Sequence, residues 1–254
     1  MADLEGKKGL IFGIANAHSI AYGCAKALRA QGARLAVTYR NAKAEPYIRP
    51  LALDLGCDEI LPCDVEEPGA MEAVFHRLND RWGGLDFVLH SIAFAPKADL
   101  HGRVVDCSKE GFAQAMDISV HSFIRAAHLA EPMMGAGGCL LSLTNYGVER
   151  VVDAYNLMGP VKAALEAASR YMATELGPKG IRVNTFSSGP LKTRAASGIA
   201  HFDDLMDQAA ASVPEHHQVD LDDVGALVAF LVSDKGRSIT GDRIYVDAGY
   251  HIVD

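Results

Sequence analysis

Tyr155 and Lys162, in the stretch Tyr-Asn-Leu-Met-Gly-Pro-Val-Lys, are the side chains best suited to chemistry in this chain. Seven residues on a helix advance about 700° and about 10.5 Å, so a phenol and an ammonium at this spacing share one face, two turns apart. A cation so placed can hold a phenol ready to donate to a developing oxyanion. The same pair can also be a surface tyrosine and a solvated lysine, so the reading rests on what surrounds it.

A second set of residues suits a dinucleotide. Gly13-Ile14-Ala15-Asn16-Ala17-His18-Ser19-Ile20 lacks the second glycine of a G-x-G-x-x-G fingerprint, yet keeps its physical ingredients. Gly13 permits a tight turn, small residues allow close backbone approach, and Ser19 and Ile20 open a helix whose N–H groups attract pyrophosphate. Gly13 can also simply end a strand, and Ser19 can simply cap a helix. At Val37-Thr38-Tyr39-Arg40 a ribose-binding acid is absent and Arg40 takes its place. That arginine can neutralise a 2′-phosphate, stack on adenine, or be only an exposed strand end, so NADPH is allowed. Asp64 can accept from an adenine amino group, with the Val65 backbone beside it, or can cap the next helix. The small residues of His90-Ser91-Ile92-Ala93-Phe94-Ala95-Pro96 would let a cofactor ribose lie against the backbone.

These residues must be positioned by an α/β framework. Short apolar runs predict strands at Gly9–Gly13, Arg34–Tyr39, Glu59–Pro62, Phe87–Ser91, Cys139–Leu143, Arg182–Phe186 and Arg243–Val246. Amphipathic segments predict helices at Ile20–Gln31, Ala44–Leu55, Gly69–Arg81, Phe112–Met134, Ala154–Leu176 and Leu221–Val232. The alternation predicts a single Rossmann-type, doubly wound domain with a seven-stranded parallel sheet and helices on both faces. Right-handed crossovers then bring the strand C-termini to one edge, where ligands bind. Irregular stretches from about 94 to 108 and after 187 both follow strands and are expected as loops over that edge.

Composition narrows the setting. The chain has 254 residues, 49% hydrophobic and 22% charged, with a net charge of -8, which argues against a nucleic-acid or anionic-membrane surface. Its five cysteines are odd in number and form no Cys-x-x-Cys pair, so neither disulfides nor structural zinc are expected. The ten histidines show no metal-binding spacing, and His216-His217 reads as a turn. With no signal-peptide core and no membrane-length apolar run, the expected location is cytoplasmic.

Together the motifs resemble the short-chain dehydrogenase/reductase superfamily, and within it the enoyl-acyl-carrier-protein reductases of the NADH-dependent type. His90-Ser91-Ile92-Ala93-Phe94-Ala95-Pro96 and Tyr155-Asn156-Leu157-Met158-Gly159 carry the resemblance, with Ser188-Gly189-Pro190-Leu191-Lys192-Thr193 and Ile239-Thr240-Gly241 following in order. It implies hydride transfer from NADH, or from NADPH given Arg40, to a trans-2-enoyl thioester, the last reductive step of type II fatty-acid elongation. Tyr155 then donates to the thioester oxygen and Lys162 holds the nicotinamide ribose. Gly13, Ser19, Ile20, Asp64, Val65, Ile92, Leu191, Thr193 and Ala195 contact cofactor, and Ala95 lines the acyl pocket. The segment at about 190–212 becomes a substrate-binding lid. The resemblance also implies a homotetramer, with acyl carrier protein as partner docking near Lys97, Arg103, Lys192 and Arg194.

Two features depart from the pattern. The family's tyrosine ten residues before Tyr155 is replaced by Asn145, leaving Tyr146 as the candidate for its place, although adjacent side chains point differently. Ser142 sits thirteen residues before Tyr155, a spacing that keeps a 3-oxoacyl (carbonyl) reductase open. A catalytically idle cofactor-binding homologue is the remaining alternative. His90-Ser91-Ile92-Ala93, in place of the superfamily's Asn-Asn-Ala-Gly, favours the enoyl reductases.

Overall fold

The computed structural model describes residues 3–152, 155–193, 206, 212–214 and 218–253. Seven strands form one sheet: β1 (Lys8–Phe12), β2 (Arg34–Tyr39), β3 (Glu59–Pro62), β4 (Phe87–His90), β5 (Cys139–Thr144), β6 (Arg182–Ser188) and β7 (Arg243–Val246). They lie in the order β3-β2-β1-β4-β5-β6-β7, and every pairing is parallel. The register sets Ile11 against Val37 on one side and Leu89 on the other, with Leu10 against Ala36 and Val88. Such strands read as continuous apolar runs because both of their faces are covered.

Alternation along each strand divides the core. Ile11, Val37, Leu89 and Leu141 pack under α1 (Ile20–Ala30), α2 (Glu45–Asp54) and α8 (Leu221–Val232). Leu10, Phe12, Val88, Leu140 and Val183 pack on the opposite face. There they meet α3 (Ala70–Trp82), α5 (Lys109–Met116), α6 (Ser122–Ala130) and α7 (Met158–Leu176). The start of α8 is set by a reciprocal cap: Asp220 accepts from the backbone of Asp222 and Asp223, and Asp223 accepts from that of Asp220. No described helix is long and apolar enough to cross a membrane.

Three expectations need correction. The helix expected over 112–134 is four pieces, because a π-turn (Asp117–His121) separates α5 from α6 and a 3₁₀ turn (Glu131–Met133) follows. The π-turn aims Ser119 at the backbone of Phe94, accepting from its N–H at 3.0 Å and donating to its carbonyl at 3.2 Å. The helix expected from Ala154 begins at Met158, because Asn156 adopts φ +42°, where a right-handed helix cannot propagate. Tyr155 therefore sits in a turn ahead of α7 rather than on its face. The stretch 94–108 is also more regular than expected, holding α4 (Lys97–His101) and a 3₁₀ turn (Val104–Asp106). Most of the lid expected at 190–212 lies outside the described residues, as do His216 and His217.

Candidate active site

A cavity of about 370 Å³ opens at the C-terminal ends of β1 to β5, centred where the chain order reverses between β1 and β4. Its size falls in the range of small-molecule sites, and its place is the one doubly wound sheets use for ligands. Gly13 forms part of the wall at φ +103°. A Cβ there would lie 2.0 Å from the Ser91 carbonyl oxygen, so the glycine is required by contact between two strand ends as well as by its turn.

Ser19 and Ile20 bring the N-terminus of α1 to the same wall. Ser19 occupies the cap position, but its hydroxyl donates to the Asn16 carbonyl at 2.7 Å and makes no cap bond. It therefore shapes the turn and does not consume the helix N–H groups, which suits an anionic ligand.

At the far end of the cavity Arg40 is held by two carboxylates. Its Nε donates to Asp64 at 2.7 Å and its terminal nitrogen to Glu66 at 2.9 Å. Gln114 from α5 orients Glu66 through a 2.7 Å bond. Asp64 also accepts from the Glu66 N–H and does not cap α3, whose cap residue is Gly69. Bonding to Asp64 holds the Arg40 pKa above its ordinary value. Val65, Ile92 and Thr193 complete this part of the wall. Leu191 packs against the core under α1, α2 and α8 and does not line the cavity, and Ala195 lies outside the described residues. Ala95 is buried in the opposite core and does not face this cavity.

Lys162 closes the near end. It is 3% exposed, and its ammonium donates to the Leu143 carbonyl at the end of β5 at 2.6 Å. Burial pulls its pKa down to about 8, opposed by the charge of Glu166 one turn on. Tyr155 is partly buried against the core of α3, α5, α6 and α7, outside the cavity wall, and burial raises its pKa above the ordinary tyrosine value, so the phenol stays protonated. Glu166 itself accepts from Thr144 at 2.6 Å and pairs with Arg243 at 3.1 Å.

Tyr146 is buried with Val213 and Tyr250, donates to the Tyr250 hydroxyl at 3.3 Å, and meets that ring edge-on at 5.1 Å. Ser142 is fully buried, with its hydroxyl 3.1 Å from both His90 Nδ1 and the His90 carbonyl. The Ser122 hydroxyl donates to the Ile118 carbonyl at 2.6 Å and must therefore accept from His90 Nε2 at 2.7 Å, which fixes the tautomer. Burial first, and the Lys162 charge second, push His90 down to about 3, so it is neutral. Ser142 thus serves a buried histidine and is unavailable to a substrate.

The cavity also has walls that sequence reading passed over: Thr38, Glu66, Ile118 and Leu143. Glu66 adjoins the Asp64-Val65 motif and could have been found by its charge. Ile118 could not, because only the π-turn swings it toward the cavity.

The chain matches the family model described as enoyl-(acyl carrier protein) reductase over residues 13–251. It is 45% identical over 250 residues to enoyl-acyl-carrier-protein reductase (NADH) 1 of Rhizobium meliloti, covering 98% of this chain and 92% of that one. The crystal structure of the Anaplasma phagocytophilum reductase in complex with NAD has a TM-score of 0.95 at 46% identity, covering 99% of this chain and 96% of that one. The Bacillus cereus enoyl-acyl carrier protein reductase, solved with NADP+ and indole naphthyridinone, has a TM-score of 0.97 at 41% identity, with 100% of each chain covered. With matches of this identity running almost from end to end, on the sheet order and cavity described above, the chain belongs to the enoyl-(acyl carrier protein) reductase family.

Proposed function

We propose that this protein reduces trans-2-enoyl thioesters of acyl carrier protein to the saturated acyl form with NADH, as the last reductive step of fatty-acid elongation. The observation that carries this reading is Lys162: a buried ammonium, anchored on the Leu143 carbonyl, in the wall of a cavity that begins at the N-terminus of α1. A nicotinamide dinucleotide fits the donors present. The N-terminus of α1 and the small residues Gly13 and Ala15 suit the pyrophosphate, Asp64 and Val65 the adenine, and two remaining Lys162 N–H donors the ribose hydroxyls.

When bound, that cofactor supplies a hydride to C3 of the substrate. The pair of electrons displaced from the double bond collects on the thioester oxygen as an enolate. Tyr155, kept protonated by its buried setting, donates a hydrogen bond to that oxygen. A proton then reaches C2 and completes the reduction. Lys162 stays cationic near neutral pH and orients the ribose.

Arg40 is already occupied by Asp64 and Glu66, so an added 2′-phosphate would meet two carboxylates at that end. This supports NADH over NADPH. The exposed cations Lys97 and Arg103 beside α4, together with Lys192, support docking of an acidic carrier protein; Arg194 lies outside the described residues. Exposed apolar side chains on α5, α6 and α7 (Phe112, Ile124 and Tyr171) support a homotetramer. Five cysteines with free thiols fit a reducing cytoplasm.

The test is oxidation of NADH on addition of a crotonyl thioester. Turnover is expected with the parent chain and a loss on the order of 100-fold in kcat with Tyr155→Phe. Reduction of 3-oxoacyl thioesters in its place, or no oxidation of bound NADH at all, would overturn the reading.

A further inference from the structure

Asn145 follows β5 in an extended conformation and turns its side chain back onto the chain, accepting from the Gly147 N–H at 2.8 Å. This bond caps the 3₁₀ turn Tyr146–Val148. The turn lies directly against Tyr155. A Cβ added at Gly147 would stand 3.0 Å from Tyr155 Cδ1, 3.0 Å from Asn145 Oδ1 and 3.3 Å from Val152 Cγ2. Gly147 is therefore a bare stretch of backbone on which the phenol ring rests, and the Asn145 amide oxygen keeps that stretch in place.

The other side of Tyr155 is held independently. Asn156 accepts φ +42°, a conformation asparagine tolerates better than most residues, and donates from Nδ2 to the Leu100 carbonyl of α4 at 2.8 Å. The Tyr155 N–H donates to the Val152 carbonyl at 3.1 Å. Tyr146 donates to the Tyr250 hydroxyl at 3.3 Å and packs edge-on against its ring.

We propose that Asn145 is a positioning residue for Tyr155, acting through Gly147. The proposal rests on the role of Tyr155 given above. Asn145 does not line the cavity, so its effect falls on the chemical step and not on NADH. A ring free to tilt spends less time aligned with the thioester oxygen, and small misplacements of a catalytic group are costly.

The experiment compares Asn145→Ala, Asn145→Ser and Gly147→Ala in the full chain, with crotonyl thioester and NADH. Asn145→Ala should lower kcat about tenfold while the KM for NADH stays within about twofold. Asn145→Ser, whose hydroxyl can accept from the same N–H, should recover most of that loss. Gly147→Ala leaves Asn145 in place but presses on both the ring and the capping oxygen, and it should lower kcat without moving the KM for NADH; it also keeps the test alive should Asn145→Ala fold poorly. In a Tyr155→Phe background, Asn145→Ala should add little, since both changes act on one group. Parent-like kcat in Asn145→Ala or Gly147→Ala, no recovery in Asn145→Ser, or a full tenfold loss persisting in the Tyr155→Phe background would overturn the proposal. A parent chain that does not reduce the thioester would instead overturn the function assigned above.

Discussion

At the scale of single residues, the environment of Lys162 sets a pH window. Its pKa, lowered by burial to about 8, lies below the 10.5 of an exposed lysine. Above about pH 8 the native ammonium loses its proton while the unfolded chain keeps its own. Between those values the unfolded state binds more protons, so stability should rise with pH. Activity should move the other way: kcat/KM for NADH should decline through an apparent pKa of about 8 in the free enzyme, and Lys162→Arg, charged throughout, should lack that decline. A pH profile of both forms checks the pair of signs. Arg40 offers a second residue-scale prediction. Removing one of its two carboxylate partners in Glu66→Gln takes away a negative charge from the adenosine end, and kcat/KM for NADPH relative to NADH should rise on the order of tenfold. Steady-state kinetics with both cofactors would show it, and an unchanged ratio would deny Glu66 that influence.

At the scale of elements, the π-turn between α5 and α6 positions one side of the cavity. It places Ile118 in the wall, fastens Phe94 through Ser119, and sets up the serine that accepts from His90. Ser119→Ala should remove the partner of the part-buried Phe94 N–H and cost about 0.5–1.5 kcal/mol in urea unfolding. The periodicity of 112–134 marks this region as helical but cannot locate the break, because a single extra residue in one turn barely disturbs an apolar stripe. The start of α7 was hidden for a related reason. Asparagine only permits the left-handed backbone at 156; a bond to Leu100, fifty-six residues away, holds it there.

At the scale of the whole molecule, light scattering should give about four times the 27.1 kDa chain mass, and Tyr171→Glu together with Ile124→Glu should reduce it. A parent chain already monomeric would remove the basis for that assembly. The sheet was legible in the sequence alone. Its seven strands fall within two residues of their expected limits, since in a parallel sheet both faces are buried and each strand appears as an apolar run between turns. That Gly13, Ser19, Asp64 and Val65 line one cavity was legible too, as they lie in the turns after strand ends and connectivity alone brings strand ends together. Tertiary structure decided the rest. Whether Arg40 met a carboxylate or stood alone, whether Ser142 faced a substrate or a buried histidine, and which way Tyr146 turned all depend on partners brought close only by folding. Local sequence determines which groups a segment can offer, whereas long-range packing decides which of them are already spoken for.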